Sequence, residues 1–316
     1  MGEIPSQVPE EALVDIPQEP EARLEYFVPL IEQSLDRTRQ TLVEEDYYGR
    51  LERGEKISGR VFDARSELYE LAMKLAPEAR IGDLTMMREL IQPEKGEVSV
   101  DISAGTGFLT NAVSQWTEAT TYGVDPSRTQ LGYMRKNCSD LVVPVYGWPD
   151  NYEKLFVEGG IPEGGVDVVT SFGGIHHVDK DRYGLAFQNV AKALKPGGRF
   201  SAADVPADSV LQRHFDEVVD HKCLTRHPMG RFMSPGFLRE RSEEAGLELV
   251  RSEIKALTWD FNSPKEMGYF FKGLHAYDQP VEEVIEDLRN TLGVQEEDGK
   301  FKLNWPMLAW EIQKPR

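Results

Sequence analysis

The sequence has little cysteine, no long apolar run and no excess of basic residues, and each shortage excludes a class of protein. Only Cys138 and Cys223 occur in 316 residues, too few for a disulfide scaffold, so both are expected to be reduced thiols. The longest nearly apolar stretches, residues 141–148 and 166–172, are far shorter than the roughly 18 residues of a membrane-spanning helix. The sequence therefore predicts neither a disulfide-rich secreted protein nor a membrane protein.

Acidic residues outnumber basic ones, with 54 Asp or Glu against 36 Lys or Arg and a formal net charge of -18. Nucleic-acid binding depends on cationic side chains that displace counterions, so nucleic acid is not an expected partner. The first 20 residues lack the basic start and the apolar run of a signal peptide, which favours a cytoplasmic location. With 40% hydrophobic and 28% charged residues, the composition is that of a globular protein with a sizeable core.

The composition and the hydrophobic pattern divide the chain into three parts. Residues 1–20 carry four prolines and several glutamates, which predicts a disordered arm. Residues 21–92 show apolar side chains at helical spacing and predict a helical N-terminal module, either a lid or extra layers on the next domain. In residues 93–316, short apolar runs alternate with glycine-rich turns and helix-length segments, which is typical of an α/β domain.

The same pattern places the individual elements of the α/β domain. The predicted strands are residues 98–103, 120–124, 141–146, 166–171, 198–203, 248–254 and 307–313. The predicted helices are residues 106–117, 127–137, 182–194, 235–245, 264–274 and 281–292.

The most informative segment is VSVDISAGTGFLTNAV, residues 98–113. A buried strand ends near Asp101, and Gly105 and Gly107 allow a tight turn that points free backbone N–H groups at a bound molecule. The dinucleotide-binding fingerprint requires a third small residue, and Thr110 stands at that position instead. The segment therefore predicts a ligand site and weakens the case for a nicotinamide or flavin.

A second acidic residue follows at the next strand, in the segment TYGVDPS. Asp125 ends that strand, 18 residues after Gly107. A carboxylate at this position suits a ribose, because two neighbouring hydroxyls can both donate to it. An ordinary N-cap role before Pro126 is the structural alternative, and both roles can hold at once.

Two further motifs complete a pattern. The segment GGVDVVTSFGGIHHV ends a strand at Ser171 and Phe172 before a loop with His176 and His177, and ALKPGGRF then forms a helix end, a turn and a strand. In this order and spacing, the four motifs resemble the class I S-adenosylmethionine-dependent methyltransferases, especially the small-molecule branch. The resemblance covers about residues 98–203.

The resemblance implies a fold and an activity. The fold would be a Rossmann-like seven-stranded, mostly parallel sheet with one antiparallel strand and flanking helices. The activity would be methyl transfer from S-adenosylmethionine to an oxygen, nitrogen or carbon nucleophile, with S-adenosylhomocysteine as product. Substrate-pocket insertions would lie at residues 205–245 and 257–300, and the N-terminal module would close over the cofactor. The expected partner is a small-molecule acceptor, with the protein as a monomer or homodimer.

The resemblance also implies roles for single residues. Asp101 would lie near the methionyl amino group, and Asp125 would hold the ribose hydroxyls. After the third strand the family has an acidic residue near the adenine, whereas here Gly147 and Trp148 stand there and Asp150 is the nearest acid. Either the indole stacks on the purine, or the alignment shifts by a few residues. The implied cofactor-binding residues are Asp101, Ser103, Gly105, Thr106, Gly107, Asp125, Pro126, Gln130, Gly147, Trp148, Ser171 and Phe172.

Candidate catalytic residues follow the fourth strand. His176 and His177 are expected beside the site, because ligands bind outside the carboxyl ends of parallel strands. An imidazole with a pKa near 6.5 is a suitable general base for an acceptor that must lose a proton. The alternative is that one of them only packs against the cofactor or caps the next helix.

Candidate substrate residues lie further along the chain. Arg226, His227 and Arg231 belong to a segment, residues 222–231, with three formal positive charges and no acid. Such a segment is a candidate for binding a carboxylate or phosphate, and a solvated loop is the alternative. Tyr269, in an aromatic cluster, is a candidate wall of an apolar pocket or an ordinary core residue.

A metal site is not predicted. The nearby His221, Cys223 and His227 have no fourth ligand spaced to join them. Two alternatives to methyl transfer stay open at this stage, a nicotinamide-dependent oxidoreductase on the same type of sheet and a noncatalytic protein that binds S-adenosylmethionine.

Overall fold

The structure is a computed structural model that describes residues 16–53, 55, 58–227 and 230–316. Most of the predicted disordered arm, residues 1–20, lies outside the described residues. Among the described residues, none of the helices combines the length and the apolar character that crossing a membrane requires.

A seven-stranded sheet forms the centre of the molecule, as predicted. Its strand order is β3-β2-β1-β4-β5-β10-β6, and only β10 runs antiparallel to its neighbours. The strands are β1 (Ser99–Ile102), β2 (Thr121–Asp125), β3 (Val142–Tyr146), β4 (Val166–Phe172), β5 (Leu194–Asp204), β6 (Glu248–Lys255) and β10 (Met307–Gln313).

Hydrophobic side chains cover both faces of this sheet. Along β4, Val168 belongs to one buried cluster and Val169 to the other, and along β5 the same holds for Ala203 and Ala202. Successive residues of a strand point to opposite faces, so apolar runs without alternation require helices on both sides. The flanking helices are α5 (Phe108–Thr117), α6 (Arg128–Asn137), α7 (Tyr183–Ala193) and α10 (Pro235–Glu244).

The order of the strands creates a crevice at one edge of the sheet. From β1 the chain proceeds outward to β2 and β3, and it then returns to β4 on the other side of β1. At such a reversal the loops after the two central strands diverge and leave a binding crevice at their carboxyl ends. The segments after β1, β2 and β4 are those that carry the predicted site residues.

The N-terminal helices share the core of the α/β domain. Ala72 and Met87 lie in the same buried cluster as Val168 of β4 and Ala203 of β5. The division into a lid module and a catalytic domain stays a prediction. The helices are α1 (Pro20–Glu44), α2 (Tyr47–Glu52), α3 (Ser58–Leu75) and α4 (Ile81–Ile91).

A second, three-stranded antiparallel sheet was not predicted from the sequence. It consists of β7 (Thr258–Phe261), β8 (Val294–Glu297) and β9 (Lys300–Asn304), in the order β7-β9-β8. Strand β8 is charged and mostly exposed, so it lacks the apolar alternation by which strands are recognised. The turn between β8 and β9 consists of Asp298 and Gly299, with φ of 53° and 72°. An Asp-Gly pair favours a tight hairpin, so this pair was a usable signal for the two strands.

The remaining helices lie between β5 and β6 or between β7 and β8 in the chain. Helix α11 (Pro264–His275) is almost entirely buried, which places its aromatic side chains in the core, and α12 (Val281–Thr291) packs against it. After β5, the chain forms α8 (Val210–His214), a π-helical turn at Phe215–Val219 and α9 (Asp220–Lys222).

Candidate active site

The turn after β1 adopts a backbone conformation that glycine permits. Gly105 and Gly107 have φ of 58° and 95°, in the left-handed region that other residues rarely adopt. A Cβ on Gly105 would lie 2.9 Å from Gln130 Oε1, and one on Gly107 would lie 2.5 Å from Cys138 Sγ. The turn therefore needs glycine for its backbone conformation, and the side chains of Gln130 and Cys138 fill the space beside it.

A cavity lies over this turn, with a volume of about 720 Å³ that includes the part open to solvent. The residues that line it are Phe62, Arg65, Tyr69, Arg80, Asp101, Ser103, Ala104, Gly105, Phe108, Leu109, Asp125, Pro126, Gln130, Trp148, Phe172, Gly173, Gly174 and His177.

Asp125 lies at the tip of β2 with its carboxylate buried against the turn. Its two oxygens accept hydrogen bonds from the backbone N–H groups of Gly105 and Ser127, each at 2.8 Å. Burial raises the pKa of Asp125 to about 7, although these two bonds oppose the shift. Each oxygen keeps a lone pair beyond the one already used, so the carboxylate can still accept from two ligand hydroxyls.

Asp101 in β1 is held by two hydroxyl groups. Thr170 donates to one carboxylate oxygen at 2.8 Å and Thr110 to the other at 2.7 Å. Burial raises the pKa of Asp101 to about 6, and the two threonines oppose the shift. Thr110 is the residue that departs from the dinucleotide fingerprint. Its hydroxyl fixes the Asp101 carboxylate at the cavity wall.

The cavity offers an unpartnered hydroxyl group and an aromatic wall to a ligand. Ser103 Oγ is buried and has no hydrogen-bond partner among the described residues, so a ligand polar group can bind it. Pro126, Gln130 and Trp148 line the side of the cavity near Asp125, where an adenine would lie. Asp150 instead forms an ion pair with Arg182, which favours the indole over this acid as the purine contact.

Four predicted cofactor residues support the site without lining the cavity. Thr106 and Gly107 lie in the turn before α5, and Gly147 bonds through its N–H to the carbonyl of Asp125 at 3.1 Å. Ser171 is fully buried in β4. The binding roles assigned to these four residues stay predictions.

Of the two candidate catalytic histidines, only His177 lies on the cavity wall. His176 is buried behind it, and its Nδ1 lies 2.5 Å from Asp204 Oδ1 at the end of β5. The other ring nitrogen, Nε2, lies 3.3 Å from Nε2 of His227. His227, from the candidate substrate segment, thus joins the two histidines of the β4 loop, although 50 residues separate it from His177.

The other candidate substrate residues do not reach the cavity. Arg226 and Arg231 are exposed, and the Arg231 guanidinium lies 4.6 Å from the ring centre of Phe237. Tyr269 packs among apolar side chains of α1 and α3. Substrate binding by these three residues stays a prediction that the geometry does not favour.

Four cavity residues come from the N-terminal segment, and the sequence analysis assigned none of them a binding role. Phe62, Arg65 and Tyr69 lie on one face of α3, at spacings of three and four residues. Arg80 precedes α4 and lies over the ring of Phe108 at 4.4 Å. The spacing on α3 was the available signal, since it places an arginine between two aromatic residues.

Known proteins match this sequence and this fold. A methyltransferase-domain family matches residues 100–198. An uncharacterized methyltransferase of Geobacillus sp. (strain WCH70) is 26% identical over 181 residues, which cover 56% of this chain and 81% of that relative.

Solved structures share the fold at low sequence identity. An S-adenosylmethionine-dependent methyltransferase from Thermotoga maritima has a TM-score of 0.52 at 19% identity, over 81% of this chain and 99% of its own. A chain from the complex between the Haloferax volcanii Trm112 methyltransferase activator and a methyltransferase has a TM-score of 0.54 at 20% identity. The match covers 81% of this chain and 98% of that chain. The sequence motifs and the match of residues 100–198 to a methyltransferase-domain family support an S-adenosylmethionine-dependent methyltransferase, and the solved structures share its fold.

Proposed function

We propose that the enzyme transfers a methyl group from S-adenosylmethionine to a small anionic acceptor, which binds between the glycine turn and the histidines. The observation that supports an anionic acceptor is Arg65. This side chain lines the cavity and is 8% exposed, and its Nη1 has no hydrogen-bond partner among the described residues.

Among the described residues, no carboxylate pairs with the positive charge of Arg65. Its ionisable neighbours include Tyr47 and Cys223, and burial raises the pKa of both, so neither is charged at neutral pH. Burial also lowers the pKa of Arg65, but a guanidinium stays protonated. A buried charge is costly unless it is paired, and a carboxylate or another oxyanion of the acceptor would pair it.

The location of Arg65 favours the acceptor over the cofactor as its partner. Arg65 contacts the ring of Phe62 at 5.0 Å, and Phe62 packs edge-on against His177 at 4.9 Å. This chain of contacts leads toward the histidines.

The residues of the cavity would act mainly by positioning and by excluding water. S-adenosylmethionine supplies an electrophilic methyl group with a good leaving group. Asp101 and Asp125 would orient the two ends of the cofactor, and Phe62 and Phe172 would shield the reacting atoms from water. Such positioning is worth about 7–11 kcal/mol of barrier. General-base catalysis by His176 and His177 stays a prediction.

A labelling experiment tests the nature of the acceptor. The enzyme is incubated with methyl-labelled S-adenosylmethionine and a metabolite extract freed of macromolecules, and the products are separated by anion exchange. We expect the label in small anionic products. Arg65→Gln should reduce this transfer about 10- to 100-fold, the effect of losing one charged hydrogen bond. Arg88→Gln, at an exposed arginine on α4 outside the cavity, is the matched control.

Two results would contradict this proposal. Label in neutral compounds alone would exclude an anionic acceptor. Weaker binding of S-adenosylmethionine to Arg65→Gln, with unchanged binding of methylthioadenosine, would assign Arg65 to the methionyl carboxylate instead.

Cofactor affinity should depend on pH through Asp125. A ribose diol donates to the carboxylate, so protonation of Asp125, with its pKa of about 7, opposes binding. Between pH 8 and pH 6, the affinity for S-adenosylmethionine should fall about tenfold, as expected for one proton that must leave a group with this pKa. Calorimetry at several pH values measures this, and a flat profile for the wild type would refute it. In Asp125→Asn the pH dependence of the cofactor affinity should be smaller, because only the contribution of Asp101 remains.

A further inference from the structure

Three histidines converge beside the cavity from two separate loops. His176 and His177 follow β4, and His227 lies in the loop after α9. One ring nitrogen from each lies within 4.8 Å of the others. We propose that these three side chains form a binding site for one divalent transition-metal ion of the zinc type, a role that lies beyond methyl transfer from the bound cofactor.

The spacing of the first two ligands already suits a metal ion. Two nitrogens that each lie about 2.05 Å from a tetrahedral Zn²⁺ are roughly 3.3–3.4 Å apart. His176 Nε2 and His227 Nε2 are 3.3 Å apart.

The third ligand requires only a small movement. The ligand atom of His177 lies at most 4.8 Å from the other two, and the wanted spacing is about 3.3 Å. The difference, 4.8 minus 3.3, is about 1.5 Å, which rotation of one side chain about its χ angles covers.

Asp204 orients the first ligand, His176, as a carboxylate behind a metal-binding histidine commonly does. Its carboxylate is fully buried and accepts from Nδ1 of His176, from the His176 backbone N–H at 3.2 Å and from the Val205 N–H at 2.6 Å. With the proton held on Nδ1, the lone pair of His176 lies on Nε2, toward His227. A carboxylate behind a histidine in this arrangement fixes the ring and strengthens it as a ligand.

The loop that carries His227 is tied to the loop that carries His176. The N–H of Gly230 donates to the His176 carbonyl at 2.7 Å, and the N–H of His227 donates to Asp220 at 3.0 Å. A Cβ on Gly230 would lie 1.6 Å from the Val178 carbonyl oxygen, so only glycine allows this approach. Two loops distant in sequence are therefore held together at the place where the imidazoles meet.

The surroundings favour an open coordination position with an anionic occupant. Three histidines leave one position of a tetrahedral ion free, and His177 places it beside the cavity. The site has one buried carboxylate behind His176, while Arg65 contributes a positive charge nearby. With a divalent ion bound, these groups carry a net positive charge, which an anionic fourth ligand would reduce. This last step rests on the proposed function, in which the acceptor is an anion, and the metal would then hold an acceptor atom and lower its pKa.

Metal titration of the full-length, untagged protein tests the proposal. After treatment with EDTA and dialysis, the protein is titrated with Zn²⁺ by calorimetry and with Co²⁺ by visible absorption, which reports tetrahedral coordination. We expect one equivalent of either ion to bind. His176→Ala and His227→Ala should abolish this binding, and Asp204→Asn should weaken it about 10- to 100-fold. His221→Ala, at an exposed histidine outside the cluster, is the matched control.

The affinity for S-adenosylmethionine is measured on the same samples. Retained affinity shows that a variant is folded, and it tests the cofactor site separately from the metal site. His227→Gln, which keeps a polar side chain of similar size, serves if His227→Ala does not fold. Stoichiometric binding that His227→Ala or His227→Gln retains would overturn the site, and so would a wild-type protein that binds neither ion. Loss of metal binding in both variants, with cofactor affinity retained, would support it.

Discussion

Asp125→Ala should weaken the binding of S-adenosylmethionine about 100- to 1,000-fold. The substitution removes a carboxylate that is placed to accept from both ribose hydroxyls, and charged hydrogen bonds of this kind contribute about 1.5–3 kcal/mol each. It also frees the N–H groups of Gly105 and Ser127, which the carboxylate now holds at 2.8 Å. Loss of about 3–4 kcal/mol corresponds to the stated range of affinity, and calorimetry with S-adenosylmethionine measures it directly.

The matched control is Asp167→Ala. Asp167 lies near the opposite end of β4, where its carboxylate accepts from the Val98 N–H at 2.9 Å and pairs with Lys195 at 2.8 Å. Like Asp125, it accepts a hydrogen bond from a backbone N–H, but it lies outside the cavity. We expect this variant to bind S-adenosylmethionine as the wild type does. If Asp125→Ala bound as tightly as Asp167→Ala, the ribose assignment would be wrong.

The elements that form the site could be predicted because their signals are local. Strands β1, β2 and β4 are short, nearly continuously buried segments built around apolar residues, and each ends at polar or glycine residues within a few positions. A buried strand followed by a glycine turn and a helix constrains its own geometry, since few backbone conformations satisfy it. The predicted sheet, with its one antiparallel strand, is confirmed by the observed strand order.

The parts that could not be predicted depend on contacts between distant segments. His227 meets His176 only because the loop after α9 folds back onto the loop after β4. Arg65 lines the cavity because α3 packs against α6 and α11. The residue spacing marks one face of α3, but it does not indicate which elements that face contacts. The charged strand β8 pairs with β9 and has no apolar periodicity of its own. In each case the tertiary partner, and not the local sequence, determines the position.

Asp83→Ala should lower the free energy of unfolding by about 3–5 kcal/mol. Asp83 is fully buried in α4, where it pairs with Arg80 at 2.8 Å and accepts from the Trp259 indole N–H at 3.0 Å. Removing one member of a buried ion pair leaves the other charge uncompensated, which is the costly way to break such a pair. The expected loss is a large share of the 5–15 kcal/mol that typically stabilises a folded domain.

Urea denaturation followed by fluorescence and circular dichroism measures this change, and the shape of the curve carries further information. Arg80 lies over the rings of Phe108 and Phe172, so the ion pair joins the N-terminal helices to the cavity wall. We therefore expect one cooperative transition for wild type and variant, with the midpoint moved to lower urea. Arg80→Met combined with Asp83→Ala should recover part of the loss, because no uncompensated charge is then buried. Two separate transitions in the wild type would instead mean that the N-terminal helices unfold on their own, as a detachable lid would.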